Sequence, residues 1–85
     1  MKVQMYTLST CPWCRKTKRW FKDHGIPYDY VDYDLADDAE QERIRDEVMR
    51  HTDHFALPYV NIGGNVVVGY DPEKYEQALG RKQEA

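Results

Sequence analysis

The run Val3 to Leu8, with Val3, Met5 and Tyr6 as its apolar or β-favouring residues, predicts a short first strand. Ser9-Thr10 supplies a turn and two polar candidates for a helix cap. From Pro12 to about His24 the residues are good helix formers, and proline suits the first helical position. Cys14, Thr17 and Phe21 fall at i, i+3 and i+7 on one face of that helix, with Trp13 and Trp20 flanking it. Gly25 stops the helix and Ile26-Pro27 prevents its renewal. Tyr28 to Tyr33 alternates with interleaved acids, as a second strand would. A second helix opens at Asp37 or Asp38, carries Ala39, Ile44, Val48 and Thr52 on its inner face, and ends near His51. Its early acidic residues suit the positive end of the helix dipole. Tyr59–Ile62, Gly63-Gly64 and Asn65–Val68 outline a hairpin, since paired glycines supply the positive φ angles of a tight turn. Gly69-Tyr70-Asp71-Pro72 leads into a last short helix through Tyr75, Ala78 and Leu79, and the polar tail from Gly80 is expected to fray.

The order is strand, helix, strand, helix, hairpin, helix. Its first three elements form a βαβ unit, so strands one and two should be parallel with a right-handed crossover. The hairpin must complete the same sheet, because a lone hairpin is barely stable in water. The expected class is therefore α/β, a four-stranded mixed sheet with three helices covering both faces, in one domain over residues 1–85. No repeat or linker interrupts it.

A chain of 85 residues buries only about 60–65% of the surface its unfolded form exposes, so the core must be small. The net charge of −3 disfavours nucleic acid as a partner, since phosphate binders carry a basic surplus. The N-terminus has neither a long apolar run nor a small-residue cleavage site, and no stretch reaches the roughly 20 apolar residues of a membrane span. The expectation is a soluble, cytoplasmic monomer with no membrane partner.

The two cysteines, Cys11 and Cys14, stand three residues apart. A bond between them closes almost no loop and stabilises little. Their placement makes better chemical sense. Cys11 falls where a strand meets the positive end of a helix, where unpaired N–H groups can solvate a thiolate. Cys14 lies one turn further in, on the buried face. Arg15, Lys16, Lys18, Arg19 and Lys22 add positive potential. Thiols in such sites ionise at about 3.5–7.5 rather than roughly 8.5. Attack gains little, because nucleophilicity falls as the pKa falls; the gain is a better leaving group and a more oxidising poise. In the expected mechanism Cys11 attacks a substrate disulfide, and Cys14 or a solution thiol resolves the mixed disulfide. Two other readings are inert core cysteines and a zinc site with His51-x-x-His54. The histidine spacing departs from the usual three to five residues, so solvated histidines near a helix end and no metal are expected.

Cys11-Pro12-Trp13-Cys14 after a strand, Leu57-Pro58-Tyr59-Val60, and Gly69-Tyr70-Asp71 before the last helix together resemble the glutaredoxins, in the family's order and spacing over nearly the whole chain. The resemblance implies the thioredoxin-like fold and a redox-active Cys11–Cys14 disulfide. It implies a cis-proline at Pro58 facing the cysteines, leaving the Leu57 backbone free to pair with substrate. It also implies glutathione as co-substrate, with no bound cofactor, and protein disulfides and glutathione mixed disulfides as substrates. The glutathione site would comprise Thr10, Pro12, Trp13, Leu57, Pro58, Gly69, Tyr70 and Asp71, the last three holding its γ-glutamyl end through backbone N–H groups and the Asp71 carboxylate. A simpler reading of Asp71-Pro72 is a helix N-cap followed by proline at N1, and the two are compatible.

Trp13 stands where glutaredoxins often carry tyrosine. Leu8 stands where many members carry lysine, Ala56-Leu57-Pro58 replaces Thr-Val-Pro, and Pro72 replaces an acidic residue. Gly-Tyr-Asp-Pro-Glu is also similar to redoxins that serve ribonucleotide reductase and take electrons from thioredoxin reductase, which makes those two proteins alternative partners. A dimer sharing an iron–sulfur cluster through Cys11 and glutathione is a reading of another class, disfavoured by Pro12. The acidic run from Asp29 to Glu47 is expected to be a solvated face.

Overall fold

The computed structural model describes residues 2–80. In chain order the elements are β1 (Val3–Thr7), α1 (Pro12–Asp23), β2 (Asp29–Asp32), a 3-10 turn (Tyr33–Leu35), α2 (Asp38–Met49), β3 (Tyr59–Ile62), β4 (Asn65–Val68) and α3 (Pro72–Ala78). The sheet order is β2-β1-β3-β4. β1 runs parallel to β2 and antiparallel to β3, and β3 and β4 form the antiparallel hairpin. The expected α/β class and mixed sheet are therefore realised, and the expected tail beyond Gly80 lies outside the described residues.

Alternation along β1 sorts side chains to two cores. Val3 and Met5 join Phe21 of α1, Val60, Ile62, Val67 and Tyr75 of α3 on one face of the sheet. On the other face Ile44 and Val48 of α2 pack with Tyr59, flanked by Tyr6, Val31 and Phe55. Complete burial of Phe21 and Tyr75 removes about 2–3 kcal/mol worth of apolar surface each from water.

Local chemistry sets the ends of the elements. Cys14, Thr17 and Phe21 form the buried stripe of α1 as their spacing predicts. Beyond it Gly25, at φ +69°, lets its N–H reach the Lys22 carbonyl and the Ile26 N–H reach the Phe21 carbonyl. Asp37 caps α2, its carboxylate accepting the Glu40 N–H at 2.8 Å. Gly63 and Gly64 turn the hairpin with φ of 59° and 99°, and the Asn61 side chain accepts the Gly64 N–H.

Four sequence expectations are corrected. Neither Ser9 nor Thr10 caps α1: Cys11 is the N-cap residue and offers no side-chain cap. β2 is an edge strand of four residues whose Asp29 and Tyr30 are both exposed, so the expected alternation is lost, and the chain turns at Tyr33. Ala39 is exposed, because Ile44 and Val48 define the inner face and a residue five positions before Ile44 points elsewhere. Thr52 lies past the end of α2 and hydrogen-bonds locally to His54.

Candidate active site

Four residues, Leu8 to Cys11, connect β1 to α1. The Cys11 N–H returns to the Leu8 carbonyl at 3.3 Å, and the Arg15 N–H bonds the Cys11 carbonyl at 3.1 Å to open the helix. The Leu8 N–H points inward and donates to Cys14 Sγ at 3.3 Å. Ser9 donates both its N–H, at 2.9 Å, and its hydroxyl to the Asp34 carboxylate. The turn carrying the first cysteine is thus held from the sheet edge and from the helix.

Both cysteines are free thiols, Cys11 half-buried and Cys14 fully buried. Burial alone would raise the Cys11 pKa. Hydrogen bonds from the Cys14 N–H, the Cys14 thiol and the Trp13 N–H, with the Arg15 charge, outweigh it and bring the thiol below its ordinary value. Cys14 moves the other way. Burial, its hydrogen bond to Cys11 and the negative charge there push it to about 12, against the opposing pull of the Leu8 N–H and Lys18. One sulfur is poised to ionise and the other to keep its proton.

The remaining predicted residues divide into two groups. The Leu57–Pro58 bond is cis, and the Pro58 carbonyl accepts the Gly69 N–H at 2.8 Å. The ring of Tyr70 sits 5.9 Å from that of Trp13, which is 54% exposed. Lys16 Nζ lies over both rings, 4.8 Å from Trp13 and 5.9 Å from Tyr70. Pro58, Gly69, Tyr70 and Trp13 are therefore linked by direct contacts at the head of α1. Thr10 and Pro12 are exposed on either side of Cys11, and Leu57 packs into the α2-side core. The Gly69 N–H is already occupied by Pro58, so this donor is not free for a ligand. The Asp71 carboxylate accepts the Lys74 N–H at 3.3 Å and caps α3, as the simpler reading has it.

Three supports escaped the sequence. Tyr75 Oη donates to the Gly69 carbonyl at 2.6 Å, which leaves its lone pair to accept the Thr17 hydroxyl at 3.0 Å. Lys18 Nζ meets Asp32 at 3.1 Å, with both side chains largely buried, and Thr7 donates to the same carboxylate at 2.6 Å. The third is the Asp34 brace on Ser9. Asp32 and Asp34 thus lie in the run expected to be merely solvated. The usable signal was Lys18, four residues beyond Cys14 on the same helix side; its partner emerges only once β1 and β2 pair Thr7 with Asp32.

Among the described residues no group of three or more His, Cys, Asp or Glu side chains is placed to hold a metal ion. His51 instead lies 3.5 Å from Glu47 and against the Tyr59 ring. No helix among them is long and apolar enough to cross a membrane.

The sequence profile of the Glutaredoxin family matches residues 3–67. An uncharacterized glutaredoxin-like 8.6 kDa protein in the rubredoxin operon of Clostridium pasteurianum is 34% identical over 77 residues, which cover 91% of this chain and 96% of that one. Among solved structures, the glutaredoxin from Methanosarcina mazei superposes with a TM-score of 0.87 at 38% identity, covering 93% of this chain and 78% of that one. The methanoredoxin of Methanosarcina acetivorans gives a TM-score of 0.84 at 34% identity, covering 93% and 84%.

Proposed function

We propose, since the chain belongs to the glutaredoxin family, that it is a dithiol electron carrier reducing protein disulfides and glutathione mixed disulfides through Cys11 and Cys14. The observation that carries this reading is the split between the two sulfurs. Cys11 is accessible and lowered, whereas Cys14 is buried one helical turn deeper and raised.

The Cys11 thiolate attacks one sulfur of the substrate disulfide, and the other sulfur leaves as a thiolate that takes a proton from solvent. Cys11 is then neutral, held in a mixed disulfide. Both influences of Cys11 that raised Cys14, the shared hydrogen bond and the charge, vanish with that neutralisation. Cys14 consequently ionises more easily at the step that needs it, releases its proton and attacks Cys11 Sγ. The second substrate thiol leaves, and the two electrons have come from the Cys11–Cys14 pair, now a disulfide. Two molecules of glutathione restore the dithiol and become glutathione disulfide. Because Cys11 is also the leaving group, its stabilised thiolate speeds release in this direction.

Trp13, two residues beyond the attacking sulfur, and the Tyr70 ring, 5.9 Å from that of Trp13, would form an aromatic floor for the substrate chain, with the Lys16 ammonium over both rings for a carboxylate. Leu8 favours a second reading, in which a protein reductase rather than glutathione supplies the electrons, because an aliphatic side chain there offers an anionic tripeptide no charge. Turnover of the Cys14→Ser variant separates the two. Retained deglutathionylation with lost protein-disulfide reduction supports glutathione. Turnover of the parent protein with a thioredoxin reductase but not with glutathione supports the second reading. No reduction of any test disulfide sinks both.

A further inference from the structure

Five of the twelve basic residues and one of the fifteen acidic ones lie in α1, a charge of +4 against −7 on the rest of the chain. The helix does not spread that charge evenly. Lys18 is committed to Asp32, and Lys16 is gathered over the Trp13 and Tyr70 rings. Arg15, Arg19 and Lys22, at i, i+4 and i+7, fall on one stripe of the surface and all are exposed. The stripe starts beside the redox turn, where the Arg15 charge acts on Cys11, and ends in a shallow depression formed with Asp23 and Tyr28. Among the described residues its one ion-pair partner is Asp23, 3.6 Å from Arg19 in a pair whose two side chains are 82% and 62% exposed. Such a pair holds weakly and yields readily to a competing anion.

We propose that this stripe is the docking surface for an acidic segment of a disulfide-bearing protein partner, aligned along α1 so that its disulfide meets Cys11. The inference rests on the dithiol chemistry above and adds a partner class to it. Length fits: Arg15 to Lys22 spans about 10 Å of helix axis, the reach of three to four extended residues. Orientation follows from the rest of the molecule. An acidic partner meets a net positive charge on α1 and a net negative one over the rest of the chain, so electrostatics favours the encounter that brings the disulfide to the reactive sulfur.

The experiment uses the pre-reduced full chain in single turnover against two disulfide-linked peptide probes, identical except that glutamates or lysines flank the cysteine. A small neutral disulfide serves as reference. We expect the acidic probe to react about tenfold faster at about 20 mM salt, narrowing to within about twofold at about 0.5 M as screening shortens. R19E/K22E should abolish or reverse the preference, read as each probe's rate divided by the reference rate of the same variant, and R19Q/K22Q should fall between. Equal rates for both probes, with normal turnover of the neutral disulfide, overturn the docking surface and leave the chemistry standing. A preference that persists in R19E/K22E overturns its assignment to α1. Failure to reduce even the neutral disulfide would instead overturn the function on which it rests.

Discussion

In the proposed mechanism the ionisation of a single sulfur, that of Cys11, starts the reaction. Because Cys11 lies below the ordinary thiol value, its alkylation by a small electrophile should persist at pH values where a free thiol has stopped reacting, whereas buried Cys14 should stay unmodified in the folded protein. An alkylation rate measured against pH, with the labelled residue identified by mass, checks both halves; a Cys11 profile matching a free thiol would remove the basis of the mechanism. The second prediction concerns Tyr75. Its hydroxyl bridges Thr17 on α1 and the carbonyl of Gly69, so Tyr75→Phe leaves a buried hydroxyl and a half-buried carbonyl without their partner. A loss of about 1–2 kcal/mol follows, which for a domain of this size is a fall in Tm of roughly 4–16 °C. A thermal melt reads it directly. These contacts span 58 residues of sequence in one case, and no local pattern announces them. Cys11, Cys14 and Phe21 were legible because neighbours along one helix set their positions, while Asp34 was not, because the turn it braces lies 25 residues away.

At the scale of elements, periodicity served in α1, where one face meets the core. The β3–β4 hairpin matches expectation because the paired glycines set its turn, while β3 feeds both cores, Tyr59 on one face and Val60 and Ile62 on the other. β2 has a strand neighbour on one side only, and its acids serve other purposes, so alternation there misled. The Lys18–Asp32 pair joins β2 to α1 just beneath the redox turn, with side chains 19% and 14% exposed. Asp32→Ala should strand the Lys18 ammonium in a poorly solvated site and leave the Thr7 hydroxyl only the longer bond, at 3.5 Å, to the Val31 carbonyl. A cost of about 2 kcal/mol is expected, below the roughly 3–5 kcal/mol of a fully buried pair because some water remains. Lys18→Met combined with Asp32→Asn should cost less than the sum of the two single changes, and urea unfolding of all three variants measures that coupling. Strict additivity would mean that the pair contributes nothing beyond its separate packing.

Across the whole molecule, pH sensitivity is concentrated on the alkaline side. Burial raises Tyr6, Tyr59 and Tyr75, helped at Tyr59 by its bond to Glu47, and Tyr75 reaches about 12. A group raised on folding stabilises the native state fully below its unfolded pKa, and that stabilisation is lost as pH climbs through the folded value. The three tyrosines therefore predict falling stability from about pH 10 upward. Cys14 acts in the same sense from the ordinary thiol range, and Cys11 opposes it. The urea midpoint near pH 11 should therefore lie below that near pH 9; no fall between the two would contradict the buried environments described. The two faces of the sheet are also unequal. Seven buried residues join β1, β3 and β4 to α1 and α3, against three beneath α2. Local opening should follow that imbalance, so deuterium enters the amides of α2 well before those of α1. Breathing of the lighter side can then absorb sequence drift on the outer face of α2 while the packing around α1 keeps its shape.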